Sequence, residues 1–216
     1  MEWIDNIRDV SILVGIWVAI HGLDSWRREH AGKRQMELAE DALALFYEAR
    51  DAISYIRHPM SYSNDTEDVE RTEGETEDQW HARKNASVVF KRYNAYQELF
   101  GKIRAMRYRF MAHFGREAAA PFGEINTILN KIIVSARMLS RLWARNHFTT
   151  EASWNKHLDS IKRNEAIFWE GPLDEDPINS QLDAVISNIE TTCSKIIKGD
   201  RTLAIFLNSP LIRRRN

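Results

Sequence analysis

The stretch SILVGIWVAIHGLDSWRRE, residues 11–29, contains the most apolar segment of the chain, and it determines whether the predicted fold includes a membrane helix. From Val10 to Leu23 it has no Asp, Glu, Lys or Arg, a run of about 14 residues or roughly 21 Å of helix. A bilayer span needs about 20 apolar residues, so the run is short. Between Ile12 and Ile20 it offers no polar face, and such a helix is buried either in protein or in lipid.

The residues on either side of this run favour the membrane. Trp3 and Trp26 bracket it roughly 35 Å apart on a helix, close to the spacing of two interfacial aromatic belts. Arg27 and Arg28 follow it directly, and basic residues mark the cytoplasmic side. We therefore predict a single-pass anchor at residues 1–26 in the inner (cytoplasmic) membrane, with the N-terminus outside and the body in the cytoplasm. The alternative is a buried core helix of a soluble bundle.

A strip of small residues runs along the predicted anchor. Ser11, Gly15 and Ala19 recur every four residues, so they share one face of a helix. In lipid, small residues let two helix backbones approach closely and pack. The strip predicts a homo-oligomer formed through the anchor.

The rest of the chain has a helical period. Apolar residues step by three and four, as in Leu38, Ala42, Leu45 and Ala49, and the stops at Gly and Pro agree with these stripes. The fold class predicted is all-α, a transmembrane helix continuing into a cytoplasmic bundle of about five long helices at 27–200, then a basic tail at 201–216. The predicted helices are 3–57, 78–114, 120–146, 151–170 and 177–198.

An acidic loop, residues 59–78, separates the first two predicted helices. It carries eight acids and one arginine between Asp65 and Asp78. This composition predicts a solvated, mobile segment. A cation site is the alternative, although the carboxylates do not follow a calcium-loop pattern.

Composition bounds the chemistry. Of 216 residues, Lys and Arg number 30 and Asp and Glu 31, and this net charge of −1 gives no global signal for nucleic acid binding. Cys193 is the single cysteine, which excludes an intramolecular disulfide and indicates a reducing compartment. The histidines lack zinc-ligand spacing, and phosphate-binding and hydrolase motifs are missing from the sequence. We expect no metal and no cofactor.

The segment RAMRYRFMAHFGRE, residues 104–117, holds the candidate site residues. By their spacing, Arg109, His113 and Arg116 share a helix face, and Lys102 extends it. Such a basic row predicts contact with phosphate or nucleic acid through Lys102, Arg109 and Arg116.

The same segment contains Arg107 and His113 in an Arg-x5-His spacing, repeated at Arg141 and His147. This resembles the motif of HEPN-type ribonucleases, helical bundles that pair two such motifs across a dimer. The resemblance implies that His113 is the acid/base and that Arg107 stabilises a phosphate. The alternative places His113 at a helix end, near the terminal carbonyls, and pairs Arg107 with a carboxylate of the bundle.

Longer segments resemble an uncharacterised group of bacterial proteins that have a short N-terminal anchor and a cytoplasmic helical bundle. They are WRREHAGKRQMELAEDALALFYEARDAISYIRHP, RYRFMAHFG and AIFWEGPLDEDPINSQLDAVISNIETTC. This resemblance implies architecture and no catalytic residue. A looser similarity is to the membrane-anchored helical accessory proteins of RNA-targeting CRISPR systems, some with degenerate HEPN motifs.

The function expected from the sequence is that of a membrane-tethered, self-associating interaction or scaffold protein, with the lipid bilayer, a second copy and a protein partner as its contacts. The alternatives are a HEPN-like effector that acts on RNA and an oligomeric effector that perturbs or perforates membranes.

Overall fold

A computed structural model describes residues 2–171 and 176–198 of the chain. In these residues it contains six α-helices, two short 3₁₀ turns at Ser63–Asp65 and Arg145–His147, and no strand. The helices are α1 Glu2–Arg57, α2 Glu77–Ala95, α3 Gln97–Ala118, α4 Ala120–Leu142, α5 Glu151–Phe168 and α6 Pro177–Ile197. The predicted all-α class is confirmed.

The helix predicted over 78–114 is two helices, divided at Tyr96. This residue has φ −105° and ψ 12°, outside the helical region, and its N–H donates to the Tyr93 carbonyl at 3.0 Å. That bond tightens the last turn of α2 to a 3₁₀ type. The Tyr96 ring lies edge-on to Tyr55 of α1, with centroids 5.8 Å apart. The apolar period continues through Tyr96, and neither Gly nor Pro stands at that position. The sequence therefore predicts one continuous helix.

A second break follows Phe114. Gly115 has φ 87° and ψ 172°, a backbone conformation that residues with a Cβ rarely adopt. The regular part of α3 therefore ends at Phe114, as the predicted range does. Pro121 lies in the first turn of α4, where its missing N–H has no helical partner to lose.

The described residues divide into two units. One contains the residues up to Asp41 together with those from Cys193 onward, and the other contains residues 42–192. In the second unit, which is the larger one, α4 packs along α2 and also contacts α3 and α5. Its centre is an aromatic cluster in which Phe122 of α4 lies 4.8 Å from the Phe46 ring and 5.2 Å from the Phe110 ring. All three rings are fully buried.

Helix α1 runs unbroken through the stretch predicted as an anchor. Among the described residues, however, no helix combines the length and the apolarity that crossing a bilayer requires. The transmembrane part of the predicted fold is therefore not supported. The physical reason lies in the sequence, since Asp9 and Asp24 confine the uncharged run to about 14 residues where a span needs about 20.

Arg57, the last residue of α1, joins three helices of the larger unit through a fully buried guanidinium. Its Nη2 lies 2.8 Å from Asp176 Oδ2 and 3.0 Å from Oδ1, and its Nη1 donates to Asn179 Oδ1 at 3.1 Å. It also donates to carbonyls at the end of α5, those of Ala166, Ile167 and Trp169. A cation is favourable at this helix end because the last carbonyls have no helical partner.

Asp176 completes the arrangement by capping α6. Its Oδ1 accepts the backbone N–H groups of Ile178 and Asn179 at 2.8 and 3.0 Å, and its Oδ2 accepts that of Gly171 at 2.8 Å. Asp176 is thus the N-cap of α6, directly before Pro177. Burial alone would raise the pKa of Asp176, but the bonds from Arg57, Gly171 and Asn179 outweigh it and hold the pKa below its ordinary value.

We expect Arg57→Leu to be strongly destabilising because it leaves the Asp176 carboxylate buried without its cation. Breaking a buried pair from one side costs about 3–5 kcal/mol in the free energy of unfolding. The matched control is Arg50→Leu on the same helix, whose side chain is 46% exposed and reaches Asp51 only at 3.7 Å. It should change stability by less than about 1 kcal/mol. Urea unfolding followed by circular dichroism measures both, and equal losses would contradict the proposed role of Arg57.

The same pair sets an acid limit on stability. Because the pKa of Asp176 is lower in the folded chain, its contribution is fully present above about pH 4, near the pKa of unfolded Asp. It is lost as the pH falls through the folded value. Unfolding titrations between about pH 2 and 6 should show a shallower pH dependence in Asp176→Asn, since that side chain does not titrate.

Candidate functional site

A row of cations lies on the solvent side of α3. Lys102, Arg104, Arg107, Arg109 and, beyond a break in the helix at Gly115, Arg116 are all exposed, and we call these five exposed cations the α3 basic face. Within the part of the chain that the structure describes, the side chains of the four arginines make no hydrogen bond and no ion pair. Lys102 differs, because its Nζ lies 2.9 Å from Glu98 Oε1. This contact raises the pKa of Lys102 and lowers that of Glu98.

The predicted row of Arg109, His113 and Arg116 is interrupted. Arg109 and His113 are four residues apart in regular helix and share a face. Gly115 breaks the helix before Arg116, so helical spacing alone no longer places Arg116 on the face of Arg109 and His113.

Arg107 and His113 do not converge within one chain. Six residues of regular helix separate them by about 120° around the axis and roughly 9 Å along it. The Arg107 guanidinium lies beside α4, where a Cβ added to Gly123 would be 3.9 Å from its Cζ. The carboxylate partner expected for Arg107 is not present among the described residues. His113 is exposed in the last turn before the break, as the helix-end alternative predicts.

The second copy of the spacing is also open to solvent. Arg141 is exposed near the end of α4, and His147 is exposed in the 3₁₀ turn that follows. The His147 ring packs edge-on to Phe148, with centroids 5.1 Å apart. Neither spacing encloses a site within one chain.

The residues predicted to face the membrane are only partly described. Trp26 and Arg27 are exposed, and the Trp26 ring, 58% exposed, stacks on His30 at 4.8 Å. The side chains of Trp3, Arg28, Ser11 and Ala19, the surroundings of Gly15, and the whole tail at 201–216 lie outside the described residues.

Sequence reasoning missed a buried arginine on α2. Arg92 is 2% exposed, and its guanidinium donates to the carbonyls of Tyr55, His58 and Met60 at 3.2, 2.7 and 2.6 Å. Its Nη2 also lies 2.8 Å from Asp65 Oδ2. We call this arrangement the Arg92 brace. Nothing in the sequence distinguishes Arg92 from an exposed arginine, because its partners come from segments distant along the chain.

Asp65 closes the brace from the loop side. Burial would raise its pKa, but the Tyr62 N–H at 3.0 Å and the Arg92 guanidinium lower it to a greater extent. The carboxylate is therefore held charged beside Arg92. The turn that follows α1 is consequently fixed to α2 through one ion pair and several backbone bonds.

The brace displays three large side chains to solvent. Tyr55 is 44% exposed, Met60 63% and Tyr62 60%. We call these three residues the Tyr–Met patch. Their backbone is held by Arg92 and Asp65, so the three side chains project from a fixed segment. Large exposed apolar patches mark protein interaction sites.

Beyond the brace, the acidic loop is bound to α2 along its length. Arg83 contacts both Glu75 oxygens at 2.8 and 2.7 Å, and Lys91 Nζ lies 2.6 Å from Asp68. Trp80 Nε1 donates to the Val69 carbonyl at 2.9 Å. Arg83 and the Thr72 N–H lower the pKa of Glu75 to about 2. The predicted loop thus has far more fixed contacts than its composition indicates.

The described residues contain neither a cluster placed to bind a metal ion nor a reactive cysteine. No group of three His, Cys, Asp or Glu side chains there is placed to hold a metal ion. The Cys193 thiol is buried, and burial raises its pKa to about 12, so it is protonated at neutral pH and a poor nucleophile.

We expect Glu75→Gln to loosen residues 69–76, because the amide keeps the shape of the side chain but loses the charge-assisted bonds to Arg83. Hydrogen exchange at pH 7 should accelerate in this segment. The matched control is Glu73→Gln in the same loop, an exposed carboxylate whose loss should leave the exchange unchanged. In the unchanged protein the same loosening should appear as the pH falls from about 4 toward 2. Because the pKa of Glu75 is lowered to about 2, its carboxylate becomes protonated and loses its charge only in that range. Equal exchange in the two variants would contradict the role of Glu75.

The chain matches no protein-family model, and comparisons with curated proteins and with solved structures find no significant similarity.

Proposed function

We propose that the protein is a membrane-tethered helical scaffold that associates with itself. The observation that carries the proposal is the Tyr–Met patch, in which three large side chains are exposed on a backbone fixed by Arg92. Aromatic residues and methionine are enriched at protein interfaces. A prearranged surface binds at a lower entropic cost than one that must be ordered on contact.

The design of the larger unit supports this proposal. Its two buried arginines, Arg57 and Arg92, fix the ends of α1, α5 and α6 and the loop before α2. Their guanidinium groups act inside the fold and stabilise the surfaces that it presents. An interaction protein needs such stable surfaces, because binding energy is lost when the surface deforms on contact.

The membrane tether is proposed for residues 1–26. Trp26 is 58% exposed, and exposed tryptophan is favourable at a bilayer interface. A segment shorter than the hydrocarbon thickness is accommodated by local thinning, by snorkelling of its flanking residues or by oligomerisation. The last of these connects the short apolar run to self-association. Arg27 and Arg28 orient the body toward the cytoplasm.

The tether predicts fractionation behaviour. The full chain should sediment with membranes and resist both high salt and alkaline carbonate, since the apolar run is held by lipid and not by charge. A chain lacking residues 1–26 should move to the soluble fraction. A full-length protein that is monodisperse without detergent or lipid would contradict the tether.

Self-association is expected to involve two surfaces. Gly15→Ile should weaken it by separating the helix backbones along the small-residue strip, while Leu13→Ile on the opposite face is the control. Met60→Ser with Tyr62→Ser should weaken it about tenfold or more, because burial of such side chains contributes about 1.5–3 kcal/mol each.

Sedimentation of the full chain in mild detergent measures these effects. Tyr108→Ser is the control for the patch, since that ring is 66% exposed on α3 and its loss should leave the assembly intact. A chain that is monomeric before any substitution would refute the scaffold. An assembly that Met60→Ser with Tyr62→Ser weakens no more than the control would exclude the patch as its interface.

A further inference from the structure

The chain uses its cations in two different ways. On α2, Arg83, Lys91 and Arg92 are each paired with a carboxylate of the preceding loop. On α3, the four arginines of the basic face lack any such partner within the described part of the chain, although the protein as a whole has 31 acidic residues. α3 therefore carries four such arginines, while Arg137 and Arg141 on α4 and Arg163 on α5 also lack a carboxylate partner among the described residues, and the chain as a whole has no excess of positive charge.

The α3 basic face has a defined arrangement around the helix. Ile103, Met106 and Phe110 are buried and fix which side of α3 faces solvent. At 100° per residue, Arg104 and Arg109 then lie about 140° apart, with Tyr108 between them. Of its neighbours one helical turn away, Ala105 and Ala112 are too small to cover the ring, while Arg104 and Met111 are the larger ones. The Tyr108 ring is 66% exposed.

We propose that the α3 basic face binds a single-stranded nucleic acid, with arginines on the phosphates and Tyr108 stacked on a base. Guanidinium groups pair with phosphate through two parallel hydrogen bonds, and four of the five cations are arginine. Proteins hold an unpaired strand by combining cations that contact the phosphates with aromatic rings on which the bases stack. This inference is independent of the proposed self-association.

Other anionic partners fit the face less well. A duplex keeps its bases stacked on each other, so the exposed ring would have no base surface to contact. Anionic lipid satisfies the arginines equally well but offers no flat ring for Tyr108, and an acidic protein segment offers one only where it also carries an aromatic residue. The exposed tyrosine between the arginines is therefore the feature that selects a single strand.

The test is a fluorescence-anisotropy titration of the full chain, in a neutral detergent, against a labelled 20-nucleotide oligouridylate. We expect binding that weakens as salt is raised, since phosphate contacts release counterions. Arg104→Glu with Arg107→Glu and Arg109→Glu should weaken binding at least 30-fold. The matched control is Lys156→Glu with Lys162→Glu and Arg163→Glu, which makes the same charge change on exposed positions of α5 and should weaken binding less than threefold.

Tyr108 supplies the second arm. Tyr108→Ala should weaken binding by about five- to 100-fold through lost stacking, whereas Tyr108→Phe should retain it. A duplex of the same length should bind more weakly than the single strand. The length of the labelled strand is checked after each titration, so that cleavage is not mistaken for dissociation. Circular dichroism establishes that each variant is folded, which is expected because every altered side chain is exposed.

Several outcomes would overturn the inference. Equal losses in the α3 and α5 variants would show general attraction to charge, and unchanged binding in Tyr108→Ala would remove the stacked base. Binding to vesicles containing phosphatidylglycerol, with none to the oligouridylate, would assign the face to lipid. Loss of self-association in the α3 variant, again without oligouridylate binding, would assign it to the acidic loop of a second copy. In either of these last cases the scaffold proposal would be unaffected.

Discussion

The arrangement of the larger unit depends on the burial of one charge. The Arg57 guanidinium is fully enclosed, and taking it out of water costs several kcal/mol unless its N–H groups find acceptors. Three kinds of acceptor are brought to it, namely the Asp176 carboxylate, the Asn179 side chain and the carbonyls at the end of α5. The end of α5 and the start of α6 are thereby fixed against the end of α1. A hydrophobic residue at position 57 would fill the space but would leave these acceptors unsatisfied.

Arg92 applies the same chemistry to the other side of the α1 terminus. It binds the carbonyls of the turn after α1 and one loop carboxylate, and its guanidinium lies 5.3 Å from the Tyr55 ring. The acidic loop is then continued along α2 by Lys91 and Arg83. The acidic loop has a composition typical of disorder, but it is ordered because Arg83, Lys91 and Arg92 each pair with one of its carboxylates. The remaining acids are displayed on a fixed frame, which keeps this part of the surface strongly negative while α3 is positive.

The positions of most helices could be predicted from the sequence, whereas the contacts of the two buried arginines could not. Apolar stripes, the stops at Pro59 and Gly115 and the start at Pro177 predict the helices, because these signals are local. The break at Tyr96 escapes this reasoning since a tertiary contact with Tyr55 accompanies it and no breaker residue marks it. The two arginine networks escape it for the same reason. Arg57 and Arg92 look like any other arginine until distant segments are placed around them, whereas the exposed cations of α3 follow from helical spacing alone.

The Arg57 network also constrains the order of events during synthesis of the chain. Arg57 and Asp176 are 119 residues apart, so the acceptor leaves the ribosome long after the guanidinium does. At about 5–20 residues per second, the delay is roughly 6–24 s. Throughout that interval the end of α1 carries a cation that the finished fold buries, together with apolar neighbours whose covering helices have not been made. A nascent chain in this state is a natural substrate for a chaperone, and slowing translation before codon 176 would prolong its exposure.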